Sequence, residues 1–180
     1  MSKKVLIIST SLRTFSNSEI LAKEVERGAI EAGNDVEFIT LKDKTINFCK
    51  GCLVCQTEGK CIIDDDANEI VDKMLNCDVI VWATPVYYYE MSGQMKTMID
   101  RANALFDLDY KFREIYLITT SVDSVPGVAK SVLHGIKGWL DCLPKAKFAG
   151  YVEGLGVNKP MEIRQFTDTM LMAYDMGKNI

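Results

Sequence analysis

Four cysteines fall within thirteen residues in the pattern Cys49-x2-Cys52-x2-Cys55-x5-Cys61. Thiolates this close together can close around one metal ion or around an iron-sulfur cluster, which is usually held by four Cys ligands. The spacing differs from the paired C-x2-C units of a structural zinc ribbon. The same residues can also stand as free thiols or as the remains of a labile cluster, because spacing shows capacity and not occupancy. A second group is the run Ser9-Thr-Ser-Leu-Arg-Thr-Phe-Ser-Asn-Ser18. Ahead of a helix, Ser11, Ser16, Asn17 and Ser18 can donate to phosphate oxygens and Arg13 supplies charge, with the helix N-terminus favouring the anion. A polar turn with a helix cap would use the same residues. Neither G-x-G-x-x-G nor G-x-x-x-x-G-K-[ST] is present, so no dinucleotide fold or P-loop ATPase is indicated. The third group, Thr84-Pro-Val-Tyr-Tyr-Tyr-Glu-Met-Ser-Gly93, sets three tyrosines in a row. They can wall a planar heteroaromatic ligand by stacking and phenolic hydrogen bonds, with Pro85 stiffening the approach. They can also form a dimer interface.

The elements that position these groups follow from apolar periodicity. Lys4 to Ser9 is a β-branched run that reads as a strand, and Ser18 to Ala32 carries Ile20, Leu21, Val25, Ala29 and Ile30 at helical spacing before Gly33. Asp35 to Thr40 is the second strand. Asp64 to Leu75 is a helix whose acidic first turn suits the helix dipole. Val79 to Thr84 is almost wholly apolar, as in a strand buried on both faces. Met91 to Leu105, Val128 to Cys142 and Met161 to Lys178 read as helices, and Glu114 to Thr120 and Lys147 to Glu153 as strands. Alternating strands and helices imply right-handed crossovers and a parallel sheet covered on both faces. The expected fold is α/β, a doubly wound five-stranded parallel sheet in flavodoxin-like strand order 2-1-3-4-5. Ligands then sit at the carboxyl ends of the strands near the topological switch point.

The chain of 180 residues is the size of one domain, so a single domain over 1–180 is expected. Its formal charge is -4, and it has no block of Lys and Arg, which argues against a nucleic-acid partner. The apolar run after Met1-Ser-Lys-Lys is too short for a signal peptide, and no stretch approaches the roughly 18 apolar residues of a membrane span. A cytoplasmic location is expected, where cysteines stay reduced and a tight cluster of them reads as a metal or redox site. Cys77 and Cys142 read as small buried hydrophobes. His134 is a lone helical histidine and reads as a surface or packed residue. Asp64-Asp-Asp66 reads as a helix N-terminus, and Asp100-Arg101 as a structural ion pair.

The order S-x-S-x-R-x-x-S-N-S, then T-P-V-Y, then S-G-x-x-K-x-x-x-D-R from Ser92 to Arg101 resembles the NAD(P)H-dependent FMN reductases and iron-sulfur flavoproteins of the flavodoxin superfamily. The resemblance implies FMN as cofactor. It puts the phosphate on Ser11, Arg13, Ser16, Asn17 and Ser18, and the isoalloxazine beside Pro85, Val86, Tyr87 and Tyr88. A third contact falls on the loop after the fourth strand, at Thr120, Ser121 and Asp123. The cysteine spacing resembles the compact motif that holds a [4Fe-4S] cluster in the iron-sulfur flavoproteins, which implies Cys49, Cys52, Cys55 and Cys61 as its ligands. Thr10 and Leu12 depart from a common Gly-Ser-Pro-Arg, and Tyr88, Tyr89 and Glu90 stand where many members carry an aromatic or Met followed by Gly. The resemblance further implies a homo-oligomer, a dimer or tetramer.

The activity expected is an oxidoreductase taking electrons from NAD(P)H and passing them to a small-molecule or protein acceptor. The cofactor carries the chemistry, so no side-chain catalyst is assigned. The alternatives are an iron-sulfur flavoprotein or flavodoxin-type carrier relaying electrons between proteins, and a metal-binding or redox-sensing module with a vestigial flavin pocket.

Overall fold

The computed structural model describes residues 2–180. Five parallel strands, β1 (Lys4–Ser9), β2 (Asp35–Thr40), β3 (Val79–Tyr87), β5 (Glu114–Thr120) and β6 (Lys147–Gly154), form a sheet in the order β2-β1-β3-β5-β6. The two-residue β4 (Glu90–Met91) folds back antiparallel on β3. With that insertion set aside, the order is the expected 2-1-3-4-5.

Alternation along the strands sends side chains to two separate cores. Leu6, Ile8, Ile80, Trp82, Ile115 and Leu117 face helices α3 (Asp66–Asn76), α4 (Gly93–Arg101) and α5 (Lys130–Asp141). Val5, Ile7, Val79, Val81, Ile118 and Val152 face α1 (Asn17–Glu31) and α6 (Thr167–Lys178). Both faces are therefore covered, and the loops at the carboxyl ends of β1, β3 and β5 lie together at one edge of the sheet.

Several helices begin later than their periodicity implies. Met91 pairs with Val86, so its helix starts only at Gly93, after Ser92 accepts the N–H of Met95 as a cap. This helix gives way to a 3-10 turn over Ala102–Phe106. The last helix is preceded by a separate 3-10 turn, Glu162–Gln165, because Met161 sits in the left-handed region at φ 62°. A one-turn helix, α2 (Val54–Glu58), lies inside the cysteine segment, where the periodicity gives no sign of one.

The α1–α6 contact is close enough to require glycine. A Cβ on Gly177 would fall on the carbonyl oxygen of Val25, and one on Gly28 on the carbonyl oxygen of Tyr174. Backbone cannot yield as a side-chain end can, so Gly177→Ala is expected to destabilise the fold by roughly 1–3 kcal/mol or more. Urea unfolding would read this as a lower midpoint at unchanged slope, and a variant matching the parent would show that the helices can separate freely.

Candidate flavin cleft and cysteine pocket

The loop after β1 leads directly into α1. Ser16 caps the helix by accepting the N–H of Glu19, and its hydroxyl shares a 3.0 Å hydrogen bond with that of Ser18. Among the described residues, no group accepts from the backbone N–H of Thr14, Phe15, Ser16, Asn17 or Ser18. That leaves a cluster of N–H donors at the positive end of a helix, and Ser9 adds a buried hydroxyl without a partner. An anion with several oxygens fits this donor set.

Not all five phosphate candidates stand alike. Ser11, Ser16 and Ser18 are buried in the loop. The Asn17 side chain donates to the Lys159 carbonyl at 3.0 Å and accepts from the Ile163 N–H at 3.2 Å, so it is tied to that segment, while its backbone N–H stays free. Exposed Arg13 donates to the Asn158 carbonyl at 2.5 Å. Both side chains thus bind the segment after β6, whose Met161 N–H also reaches the Phe15 carbonyl. Sequence reasoning missed this strap, since it lies about 140 residues away along the chain.

A buried network fixes the first loop against the second. The Thr10 hydroxyl donates to the Ala83 carbonyl and lies 2.9 Å from the Ser92 hydroxyl, while the Ser92 N–H donates to Thr84 Oγ1 at 3.0 Å. Every hydroxyl in this chain of bonds has a partner, so the network positions the two loops rigidly. Thr10, Thr84 and Ser92 lie within the motif segments of the sequence, but none of them is assigned a site role there.

Beyond Thr84 the second loop is a two-residue hairpin. Pro85 and Val86 are half-buried, Tyr87 pairs with Glu90, and Tyr88 and Tyr89 occupy the turn at φ 50° and 66°. All three tyrosines are exposed, Tyr88 completely. The Tyr89 hydroxyl donates to Asp123 Oδ2 at 3.4 Å, tying the hairpin to the third loop. There Thr120 and Ser121 are buried at the end of β5, and Ser121 Oγ donates to the Asp123 carbonyl at 2.7 Å. The three expected segments therefore stand side by side at the carboxyl edge of β1, β3 and β5, joined by the Thr10–Ser92 and Tyr89–Asp123 bonds.

The cysteines lie elsewhere on the same side of the sheet as α4 and α5. Cys49, Cys52, Cys55 and Cys61 line a single cavity of about 570 Å³ together with Ile99, Arg101 and Trp139. Asn103 Nδ2 donates to Cys55 Sγ at 3.3 Å. In this conformation no three Cys, His, Asp or Glu side chains among the described residues stand close enough to hold a metal ion. The donor chemistry is that of a thiolate-held group and the four cysteines share one cavity, but their side chains do not converge on a single point in it, and buried Arg101 has an Nε with no partner. Cys142 does not behave as a buried hydrophobe: at the end of α5 it is exposed and lines this same cavity.

The Asp100-Arg101 pair also resolves differently. Neighbours on a helix point about 100° apart, so Asp100 pairs with Lys96 at 2.5 Å while Arg101 reaches Asp65 at 2.7 and 2.8 Å. Burial works against the Asp65 charge, but Arg101 and the N–H groups of Asn47 and Ala67 more than offset it, holding the carboxyl below the usual range. Asp65 also caps α3, as the acidic run implies. His134 is on the surface.

Cys77 is buried, and desolvation pushes its thiol up to about 12. It is expected to resist iodoacetamide in the native chain at pH 8, whereas exposed Cys142 reacts; modification of Cys77 at a comparable rate would contradict its burial. Because its proton is held more tightly in the folded state, its contribution to stability is complete below pH 9 and is lost as pH rises towards 12.

The model of the NADPH-dependent FMN reductases matches residues 3–143. The chain belongs to that family. Among relatives of this FMN reductase-family chain, an iron-sulfur flavoprotein of Methanocaldococcus jannaschii is 43% identical over 102 residues, covering 57% of this chain and 53% of its own. Another, from Archaeoglobus fulgidus, is 34% identical over 157 residues, 86% of this chain and 69% of that protein. The matches thus span about half to two thirds of the length of these relatives. A solved NAD(P)H:quinone oxidoreductase from Methanothermobacter marburgensis shares the fold at a TM-score of 0.78 and 16% identity, over 99% of this chain and 96% of that one. No helix among the described residues is long and apolar enough to cross a membrane.

Proposed function

We propose that this chain is an FMN-dependent oxidoreductase that takes electrons from NAD(P)H and passes them to a small-molecule or protein acceptor. The observation that carries it is a juxtaposition: the loop with free N–H donors at the start of α1 and the exposed tyrosine hairpin lie at one edge of the sheet, joined by a buried hydroxyl network. Bound FMN would supply hydride acceptance and the release of electrons singly or in pairs. The protein's own part is to hold the phosphate at Ser11, Ser16, Ser18 and the α1 amides. Pro85, Val86 and Tyr87 flank the ring, Thr120, Ser121 and Asp123 close its third side, and one face stays open to donor and acceptor. Tyr88 and Tyr89 bound that open side and limit which acceptor can approach.

A second element of the reading is that Cys49, Cys52, Cys55 and Cys61 hold an iron-sulfur cluster, [4Fe-4S] by their number, which would let the chain relay single electrons. Their shared cavity supports it, as do the names of the relatives. The exposed Phe48, Leu53, Ile62 and Phe106 near that cavity, with the tyrosine hairpin, suit a homodimer interface. Six free thiols suit the reducing cytoplasm.

The test is anaerobic. Flavin in FMN-loaded protein is followed at its absorption maximum on mixing with NADPH and, separately, NADH, and iron and acid-labile sulfide are counted on the same sample. Flavin bleached by either nucleotide within a turnover supports the reductase. Bound FMN that neither nucleotide reduces makes the chain a carrier, and failure to bind FMN removes the reading altogether.

A further inference from the structure

The cysteine segment is a loop with a narrow neck, and one side chain sits across that neck. Arg101 is buried, its side chain fully so. Its Nη1 donates to the Asn47 carbonyl at 2.9 Å, and its Nη2 to the Ile63 carbonyl at 3.0 Å. Those two carbonyls lie two residues before Cys49 and two residues after Cys61. The same two nitrogens hold both oxygens of Asp65, which in turn accepts from the Asn47 backbone and side-chain amides at 2.9 and 3.0 Å. Asn68 Nδ2 adds bonds to the Cys61 and Ile63 carbonyls. Between the ends so joined, the loop has little regular structure apart from α2, and Gly51, Leu53 and Gly59 are all at positive φ. The last guanidinium donor, Nε, is buried without a partner, and Arg101 is among the residues lining the cavity that the cysteines share.

A buried guanidinium is costly, and a hydrophobic residue in its place would often be as stable. Its fork can, however, hold two carbonyls and a carboxylate in fixed relation, which the point charge of a lysine cannot. We infer that Arg101 is the positioning residue of the cysteine loop: it clasps the neck between Asn47 and Ile63 so that Cys49 and Cys61 are presented together. The part of this inference that concerns a cluster rests on the cluster reading above. The clasp itself does not.

The experiment compares the FMN-loaded full chain with Arg101→Lys, Arg101→Met and the double variant Asp65→Asn, Arg101→Met. The double variant leaves no unpaired buried charge and guards against simple misfolding of Arg101→Met. Trypsin cutting after Lys50 and Lys60, both exposed within the loop, reports the neck without any metal. Iron bound per chain after anaerobic reconstitution with ferrous iron and sulfide reports the cysteines. All three variants are expected to retain FMN and to be cut about tenfold faster, as the loss of charge-assisted bonds implies. Iron is expected to fall by about tenfold or more, the usual effect of removing a residue that orients metal ligands. Arg101→Lys decides between charge and clasp. If it is cut at the parent's rate and holds the parent's iron, the positioning role is overturned. If the parent itself takes up no iron, the cluster reading falls, and the trypsin rates alone then judge Arg101: equal rates across the four proteins overturn the clasp, and faster cutting in the variants upholds it.

Discussion

Ser16→Asp is expected to leave the chain as stable as its parent, to within about 1 kcal/mol, while FMN affinity falls by a hundredfold or more. Aspartate caps helices as well as serine does, and a carboxylate is favoured by the positive end of α1. The capping bond to the Glu19 N–H is therefore preserved. A phosphate bound at the free amides of Thr14 to Ser18 would instead meet a negative charge in its own binding site. At about 5 Å and an effective dielectric near 20, each pair of unit charges repels by about 3 kcal/mol. A phosphate monoester carries close to two such charges. Titration of FMN fluorescence measures the loss, and riboflavin, which has the same ring and no phosphate, is the control. Riboflavin affinity is expected to be unchanged. Equal weakening of both ligands would mean that the substitution had damaged the cleft as a whole, and undiminished FMN binding would remove the phosphate from the α1 N-terminus.

The inner strands β1, β3 and β5 could be read because each is a short run rich in β-branched residues whose two faces meet two different cores; β3 is buried on both sides through Thr84, as its continuous apolar run requires. The loop after β1 and the cysteine segment could be singled out because their donor groups are local, in ten and thirteen residues. What could not be read was pairing across distance. Nothing near Arg101 in sequence indicates Asp65, Asn47 or Ile63 as its partners, and the adjacent Asp100 is the misleading choice. Asn17 has the right chemistry for a phosphate, yet its side chain also ties down a strap formed at residues 159 and 163. Cys142 sits at a helical position that suggests burial, but the helix ends at Asp141 and releases it to the cavity edge.

The tyrosine hairpin was hidden for a different reason: it departs from the local rules for such a turn. A two-residue turn with positive φ at both central positions ordinarily calls for Asn-Gly. Here Tyr88 and Tyr89 occupy it, each a bulky residue in the left-handed region at about 1–2 kcal/mol. No packing repays that strain: Tyr88 is fully exposed, and Tyr89 gains one long hydrogen bond to Asp123. Strain kept without a structural return is characteristic of functional sites. Restoring the ordinary turn sequence with the double substitution Tyr88→Asn, Tyr89→Gly is therefore expected to raise stability by about 1–3 kcal/mol. The same change is expected to weaken FMN retention or slow turnover several-fold, because the wall beside the ring is lost. Thermal unfolding of the FMN-free proteins measures the first effect, and steady-state reduction of a quinone at saturating NADPH the second. Opposite signs would show that the tyrosines are held for the ligand. A variant that is both more stable and equally active would make them an interface feature instead, and analytical ultracentrifugation of the same sample would then show the dimer weakened.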